Sequence, residues 1–315
     1  MKYIVPALII CCITATSCKV KQKQFLTTLA IEDSVATNGQ MDTAALVLKN
    51  RVESEQSQNI TVTANYKTRQ IIIQSAVLDK DWIKSHLLKR GALIFYETYS
   101  IYDLLNSLQE ADKLVASKIN TGKTDSVVNP LFTVFNVVQP YQSKNGEQQS
   151  SPYIGYVTQE KIPLFKKYIE LSKDVFPVDA AMFFQEQPPT KNNQRYYAIY
   201  FVKENDSKFF ANNHIKEVST ELDNKHPAVR MKFDAYGQYI FKRMTTKNVN
   251  KAIAIVIDGN VLSAPNVIEP IEGGDMIISG SFEKEEVKDI ANMLRSGYLP
   301  LKLSLKNMEE VKKAE

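Results

Sequence analysis

Cys18 is the residue whose type and position indicate the most definite chemistry in this sequence. It follows Lys2, an apolar stretch from Ile4 to Ile13, and the small-residue run Ala15-Thr16-Ser17. The apolar stretch is too short to span a bilayer and is typical of a signal peptide. A cysteine directly after small residues is typical of a lipoprotein signal, in which the thiol is lipidated. We expect residues 1–17 to be a lipoprotein signal peptide and Cys18 to carry the lipid, with ordinary secretion as the alternative.

The cysteine and charge counts limit what the mature chain can do. Cleavage before Cys18 removes Cys11 and Cys12, so one cysteine remains and no internal disulfide can form. The sequence has 39 basic and 35 acidic residues, and its formal charge of +4 is accounted for by Lys2, Lys19, Lys21 and Lys23. The folded body is then neutral, which argues against a nucleic-acid surface.

Residues 18–40 are polar and are predicted to form a lipidated basic linker. One short helix could form within it from Phe25, Leu26, Leu29 and Ile31. Beside a lipid anchor, the lysines would either lie on anionic headgroups or simply be solvated, and the sequence leaves both alternatives open.

Residues that could support catalysis or metal binding lack the spacing that those functions need. The histidines, His86, His214 and His226, have neither an i, i+4 spacing nor a neighbouring cysteine. Ser263 lies in a predicted hairpin and not in a G-x-S-x-G elbow. Asp258-Gly259-Asn260 lacks the alternating acidic ligands of a calcium loop. We therefore predict no catalytic residue, no metal site, no cofactor and no enzymatic activity.

The stretch from Lys251 to Leu303 contains the strongest structural signals. Ala252 to Ile257 is an apolar, β-branched run, and Asp258-Gly259 is the dipeptide that favours a tight hairpin turn. A second turn is predicted at 272–275, a strand at 276–279 and a helix at 284–295, stopped by Gly297.

The order of predicted elements indicates an α+β fold with two subdomains. From residue 41 to 99 the order is helix, strand, strand, helix, strand, and from residue 228 it is β-α-β-β-α-β, the split βαβ arrangement. Antiparallel, ferredoxin-like sheets with helices on one face are expected from this spacing. Between them we predict a helix from Tyr102 to Ser117 and strands at 131–138, 153–157, 181–185 and 196–202.

Adjacent aromatic pairs lie on the last two of these strands, at Phe183-Phe184, Tyr196-Tyr197 and Tyr200-Phe201. They could grip a peptide, but adjacent aromatics on a strand more often place one ring in the core and one outside. Both interpretations stay open at this point.

Three sequence blocks, AIVIDGNVLSAP (254–265), IEGGDMIISGSF (271–282) and EEVKDIANMLRSGYLP (285–300), resemble the first extracytoplasmic (P1) domain of SecD and fused SecDF. Three blocks in one order are far more specific than a single short motif. The resemblance extends upstream to 231–251 and to 45–98. Its signature turns, to which we assign structural roles, are Asp258, Gly259, Ser263, Ala264, Pro265, Gly273, Gly274 and Gly280.

The resemblance implies a base and a more mobile head inserted between base segments. On that pattern residues 41–99 are base-like and can be completed by 299–306, and residues 100–298 are head-like with an insertion at 119–194. It also implies a non-enzymatic module on the periplasmic side of the envelope membrane that binds exported polypeptides or the Sec translocon, and the signal before Cys18 leads us to expect that a lipid anchors this module. The alternative is an accessory scaffold that keeps the fold and binds another envelope partner.

Overall fold

The computed structural model describes residues 24–55, 60–76, 79–121, 127–138, 141–142, 148–149, 151–188 and 193–311. Within these ranges the chain is a mixture of helices and mostly antiparallel sheets, so the predicted α+β class is confirmed. The strands are β1 (Phe25–Ile31), β2 (Thr61–Asn65), β3 (Gln70–Ser75), β4 (Leu93–Glu97), β5 (Asn136–Val137), β6 (Tyr141–Gln142), β7 (Gln148–Gln149), β8 (Gly155–Thr158), β9 (Ala180–Glu186), β10 (Tyr196–Lys203), β11 (Phe209–Phe210), β12 (Ile215–Asp223), β13 (His226–Phe233), β14 (Ile253–Ile257), β15 (Asn260–Ser263), β16 (Asp275–Ile278) and β17 (Leu303–Glu310).

Helices account for most of the remaining regular structure. The α-helices are α1 (Asn38–Glu55), α2 (Lys80–Trp82), α3 (Ile101–Asn120), α4 (Pro130–Val134), α5 (Ile162–Leu171), α6 (Ala235–Lys247) and α7 (Lys284–Ser296). A π-helical turn, Ile83–Leu87, continues α2. In the described ranges, no helix is both long enough and apolar enough to cross a bilayer.

The base is a four-stranded antiparallel sheet in the order β17-β1-β3-β2. Taken in chain order, its elements are β1, α1, β2, β3, α2 with the π-helical turn, and β17, which is the split βαβ arrangement. Buried residues of the sheet, such as Leu29 and Ile71, share one core with residues of α1 and of the π-helical turn. The helices therefore pack together on one face of this sheet.

The first strand of the base corrects the prediction of a linker over residues 18–40. Residues 25–31 form a strand between β17 and β3, and not a short helix or a tether. The side chains of Thr27 and Leu29 are buried with the period of two that a strand requires. Threonine made the segment read as polar, although its β-branched side chain fits a strand well.

The C-terminal strand pairs with β1 from Ile31↔Leu303 to Phe25↔Glu310, so it completes the N-terminal sheet. It begins after Leu299 and Leu301, whose buried side chains already belong to the base core. The strand therefore occupies 303–310, a few residues later than the 299–306 of the sequence analysis.

The head is built around an eight-stranded sheet in the order β11-β4-β14-β15-β9-β10-β8-β5. Strand β4 pairs along its whole length with β14, for example Phe95 with Ile255, and not with the base. The assignment of 41–99 to the base is therefore wrong at its end. The sheet also curls, because Thr98, just after β4, pairs with Val202 of β10, and Tyr99 N–H donates to Phe201 O at 2.8 Å.

A second head sheet contains β12, β13 and β16 in that order. Strand β12 was not predicted. In a split βαβ arrangement β14 would stand beside β16, but β14 pairs with β4 and β15 in the larger sheet. The C-terminal β-α-β-β-α-β order is thus spread over three sheets, because its last strand is β17 of the base.

The middle of the chain extends the head sheet through β8, β9 and β10. The predicted strand 131–138 is wrong: Pro130 begins the short helix α4, and only Asn136–Val137 is a strand. Helices α3, α4 and α5 cover one face of the sheet with a core of their own.

The aromatic pairs on β9 and β10 pack on both faces of the sheet. Phe184 and Phe201 contribute to the core beneath α3–α5, and Phe183 and Tyr200 to the core on the other face. Tyr200 and Phe201 are buried and Phe183 and Phe184 are half-buried, so these four rings fill two cores.

Candidate functional site

Strand β16 ends the smaller head sheet and has a partner on one side only. It pairs with β13 through Lys232↔Asp275, Arg230↔Ile277, Met231↔Met276 and Val229↔Ile278. In the part of the chain that the structure describes, no strand lies beyond β16 in this sheet. An edge strand of this kind presents unpaired backbone groups that another strand can use.

The hydrogen-bond alternation identifies which backbone groups of β16 are free to bind. Phe233 N–H donates to Gly274 O at 2.9 Å, so this position is a hydrogen-bonded pair of the β13–β16 ladder. Hydrogen-bonded and non-hydrogen-bonded pairs alternate along an antiparallel ladder. Met276 and Ile278 therefore bond to β13, and the N–H and C=O groups of Asp275 and Ile277 point to the open edge.

An apolar groove of about 510 Å³ lies beside this open edge. Its residues come from β4, β13, β14, α6, β16 and the segment 265–271. They are Phe95, Arg230, Phe241, Thr245, Ile253, Ile255, Pro265, Asn266, Val267, Ile268, Glu269, Ile271, Asp275, Met276 and Ile277. Phe95 and Phe241 pack edge to face with ring centroids 5.4 Å apart, so this part of the wall is fixed by aromatic packing.

Two isoleucines of the groove are exposed to solvent. Ile268 is 85% exposed and Ile277 is 39% exposed. Covering such side chains is favourable by about 25 cal/mol per Å² of apolar surface. A partner that lies in the groove would therefore gain apolar burial as well as backbone hydrogen bonds.

Charged residues form the rim of the groove. Arg230 Nε lies 3.0 Å from Asp275 Oδ1, and Arg230 Nη1 lies 3.3 Å from Glu221 Oε2. Lys242 Nζ lies 2.7 Å from Glu272 Oε1, and this hydrogen bond holds the pKa of Glu272 below its usual value. Arg230 and Lys242 face three carboxylates between them, and Glu269 also lines the groove, so the rim carries an excess of negative charge.

The turn residues singled out in the sequence divide between two places. Asp258 (φ 48°) and Gly259 (φ 80°) form the hairpin turn between β14 and β15, with the two positive φ angles of a type I′ turn. Ser263 ends β15, and Ala264 and Pro265 follow it. Pro265 O accepts from Ile253 N–H at 3.1 Å, and Pro265 lines the groove.

The glycines lie around β16. Gly273 and Gly274 precede the strand, and Gly280 follows it. Gly274 has a φ of 61°, and a Cβ there would lie 2.0 Å from Cγ of Gln238. Glycine avoids both this clash and the strain of a positive φ where the chain enters β16.

The sequence does not single out the two exposed isoleucines of the groove. Ile268 and Ile277 lie within or beside the recognised blocks, but nothing in an apolar residue type shows that its side chain is exposed. The signal that could have pointed to them is the shortness of the 276–279 strand, since a short strand between two turns is typical of a sheet edge.

In the part of the chain that the structure describes, no cluster of histidine, cysteine, aspartate and glutamate is arranged to hold a metal ion. Cys18 lies outside the described residues, so its lipidation stays a prediction.

The arrangement of base and head can be compared with that of a known class of domain. A base of split βαβ topology carries a larger α+β head between its π-helical turn and its last strand, which is the organisation expected for the P1 domain of SecD and SecDF. Residues 185–301 match the family profile described as SecDF, P1 head subdomain. The resemblance to that domain is therefore confirmed.

Particular relatives point the same way. The chain is 28% identical over 214 residues to the protein translocase subunit SecD of Magnetococcus marinus, which covers 62% of this chain and 40% of that protein. It is 51% identical over 84 residues to SecD of Calditerrivibrio nitroreducens, covering 27% of this chain and 16% of the relative. The chain thus spans less than half the length of these relatives.

Solved structures share the fold. A crystal structure of SecDF in a super-membrane-facing form matches 92% of this chain and 30% of its own, with a TM-score of 0.54 and 18% identity. A structure of SecDF, described as a membrane component that enhances protein export, matches 91% of this chain and all of its own, with a TM-score of 0.51 and 17% identity.

Proposed function

We propose that this chain is a non-enzymatic module of protein export that binds extended segments of exported polypeptides at the groove beside β16. The observation that carries the proposal is the open edge of β16, with the N–H and C=O groups of Asp275 and Ile277 facing an apolar groove of about 510 Å³.

The binding mode follows from strand chemistry. An added segment would hydrogen-bond to the free groups of Asp275 and Ile277 and so stand where the split βαβ arrangement has its missing strand. Alternate side chains of the segment would pack against Ile268, Ile277 and the groove wall. Backbone hydrogen bonds are available to almost any sequence, so we expect a preference for extended, apolar segments and little further selectivity.

The affinity should be modest. Ordering an unfolded segment opposes binding, so we expect a micromolar Kd, on the order of −8 kcal/mol or weaker. Weak binding suits a module that must release a passing chain.

The proposed setting is the periplasmic side of the cell envelope, with a lipid on Cys18 as the anchor and a component of the Sec translocon as neighbour. The similarity to SecD supports this setting, and the signal sequence before Cys18 supports the anchor. A lipid would keep the groove close to the membrane that exported chains cross.

The test is a titration of the Cys18→Ser full chain with several fluorescently labelled, unfolded precursor polypeptides. Saturable binding with micromolar Kd values that vary little between sequences is the expected result. Absence of binding at high protein concentration, together with crosslinking of one folded envelope protein in membranes, would replace the proposal by the accessory-scaffold alternative.

A further inference from the structure

A second, small cavity of about 30 Å³ lies at the junction of base and head. Its wall is shared by α1, the α2 region and the following segment of the base, and by α7 of the head. The lining residues are Arg51, Ser54, Trp82, His86, Lys89, Asp289, Asn292 and Met293. None of these residues takes part in the groove beside β16.

The hydrogen bonds of Arg51 leave one donor unused. Its side chain is only 4% exposed. Nη1 donates to Leu87 O at 2.9 Å and to Lys89 O, and Nη2 donates to Arg90 O and Gly297 O, both at 3.2 Å. A guanidinium has five N–H donors, and these bonds use four of them. The fifth, on Nε, is buried and has no partner among the residues that the structure describes.

The charge of Arg51 is also poorly balanced. All four acceptors are neutral carbonyl groups. Burial lowers the pKa of Arg51 to about 10, and only the more distant charge of Asp258 acts in the other direction. Asp258 is already engaged by two backbone N–H groups. Burying a cation without a carboxylate partner is costly, and an anion close to Arg51 would offset part of that cost.

The other charged groups of the cavity leave room for such an anion. Lys89, whose backbone carbonyl accepts from Arg51, also lines the cavity and brings a second positively charged side chain to its exposed margin. Among the described residues that line the cavity, the single acidic one is Asp289, whose Oδ2 lies 3.1 Å from His86 Nε2. Asn292 also lines the cavity, and its Oδ1 accepts from Arg295 Nη1 at 2.8 Å.

We propose that this cavity binds one small inorganic anion of the size of chloride, held by Arg51 and Lys89. A volume of about 30 Å³ accommodates one or two water-sized groups, which fits a monatomic anion better than a tetrahedral oxyanion. Because the wall comes from both base and head, the anion site is complete only when α7 lies against α1. Binding therefore stabilises that arrangement of the two subdomains.

Trp82 provides a direct reporter, because it is the only tryptophan of the chain and it lines the cavity. Its ring stacks on His86 with centroids 5.8 Å apart and an angle of 12°. The full chain, exchanged into gluconate buffer, is titrated with chloride at constant ionic strength while tryptophan fluorescence and the thermal midpoint are recorded. We expect a saturable fluorescence change and a rise in the midpoint.

Two nearly isosteric variants test the site without removing Arg51. Asn292→Asp keeps the acceptor for Arg295 and adds a negative charge to the wall, so we expect the chloride Kd to rise at least tenfold. Asp289→Asn removes a negative charge from the wall, so the Kd should fall.

Each outcome decides for or against the proposal. Saturation by chloride with opposite shifts in the two variants supports it. A strictly linear response to chloride would overturn the proposal and would mean that the cavity holds water alone. Equal responses in both variants would also overturn it, as would saturation by phosphate but not by chloride.

Discussion

The carboxylate of Asp258, in the turn between β14 and β15, accepts a hydrogen bond from the backbone N–H of Gly91 at 2.9 Å. Its other oxygen accepts from Ala92 N–H at 2.8 Å. Gly91 and Ala92 lie where the chain leaves the base and enters β4 of the head. A residue that the sequence marks as a turn former therefore also fixes the connection between the two subdomains.

Replacing Asp258 with Asn should destabilise the protein by about 1.5 to 3 kcal/mol, because one charged acceptor becomes an amide donor facing a backbone N–H. Asn tolerates the positive φ of this position, so the backbone of the turn is not strained. Urea unfolding measures the change. Asp206→Asn, at an exposed position, is the control and should shift stability by less than about 0.5 kcal/mol. Equal effects of the two substitutions would contradict the assigned role.

Replacing Gly259 with Val should cost about 1 to 3 kcal/mol, because the residue has a φ of 80°. Steric clash contributes little, since a Cβ there would meet only Cε1 of Phe183, at 3.9 Å. Gly273→Val is the matched control, because nothing lies within 4 Å of its Cβ position. A thermal midpoint for Gly259→Val equal to that of the control would refute the strain argument.

Glu97 should make stability depend on pH. It is 2% exposed, with Oε1 2.7 Å from Lys247 Nζ and Oε2 3.6 Å from Lys203 Nζ. Burial acts to raise its pKa, but the hydrogen bond from Lys247 and the charges of both lysines outweigh burial and hold the pKa below its ordinary value. The ionised carboxylate of Glu97 therefore stabilises the folded state at pH values above its unfolded pKa of about 4.3. This stabilisation is lost as the pH falls through the pKa of Glu97 in the folded state.

Glu97→Gln provides the comparison for this effect. At pH 7 we expect the wild-type chain to be more stable than Glu97→Gln by about 1 to 3 kcal/mol. The difference should shrink as the pH falls from 5 towards 3, as measured by urea unfolding at each pH. A difference that stays constant over this range would show that folding does not shift the pKa of Glu97.

Elements that are determined by neighbouring residues could be predicted from the sequence, and elements that depend on pairing with a distant strand could not. The hairpin at Asp258-Gly259 and the helix at 284–295 follow from turn chemistry and from apolar residues at helical spacing, and both are present. Strand β1 was missed because threonines made it look polar. Its identity depends on pairing with β17, nearly three hundred residues away, which no local pattern reveals.

The candidate site was less predictable than the fold. Pro265 and Gly274 could be singled out because proline and glycine restrict the backbone in known ways. Strand β14 pairs with β4 in the larger head sheet and so leaves the edge of β16 open. Which of the two sheets β14 joins depends on pairing between distant parts of the chain. The sequence therefore predicted the strands on both sides of the groove but not the gap between them.

The lipid anchor is tested by replacing Cys18 with Ser. Each buried CH₂ contributes about 0.8 kcal/mol, and two or more acyl chains anchor a protein stably. Three lysines at about 1 kcal/mol each would not do so. The Ser variant should move to the soluble fraction after a salt wash, and its retention in the membrane fraction would contradict lipidation at Cys18.

The most direct test of the proposed function compares proline at the two edges of the same sheet. Ile277→Pro removes an N–H that faces the groove and leaves the bonds to β13 intact, and Thr220→Pro does the same on the outer edge of β12. Both chains are titrated with the same unfolded precursor polypeptide. We expect Ile277→Pro to weaken binding at least tenfold and Thr220→Pro to bind like the wild-type chain. Equal affinity of the two variants would contradict binding at the edge of β16.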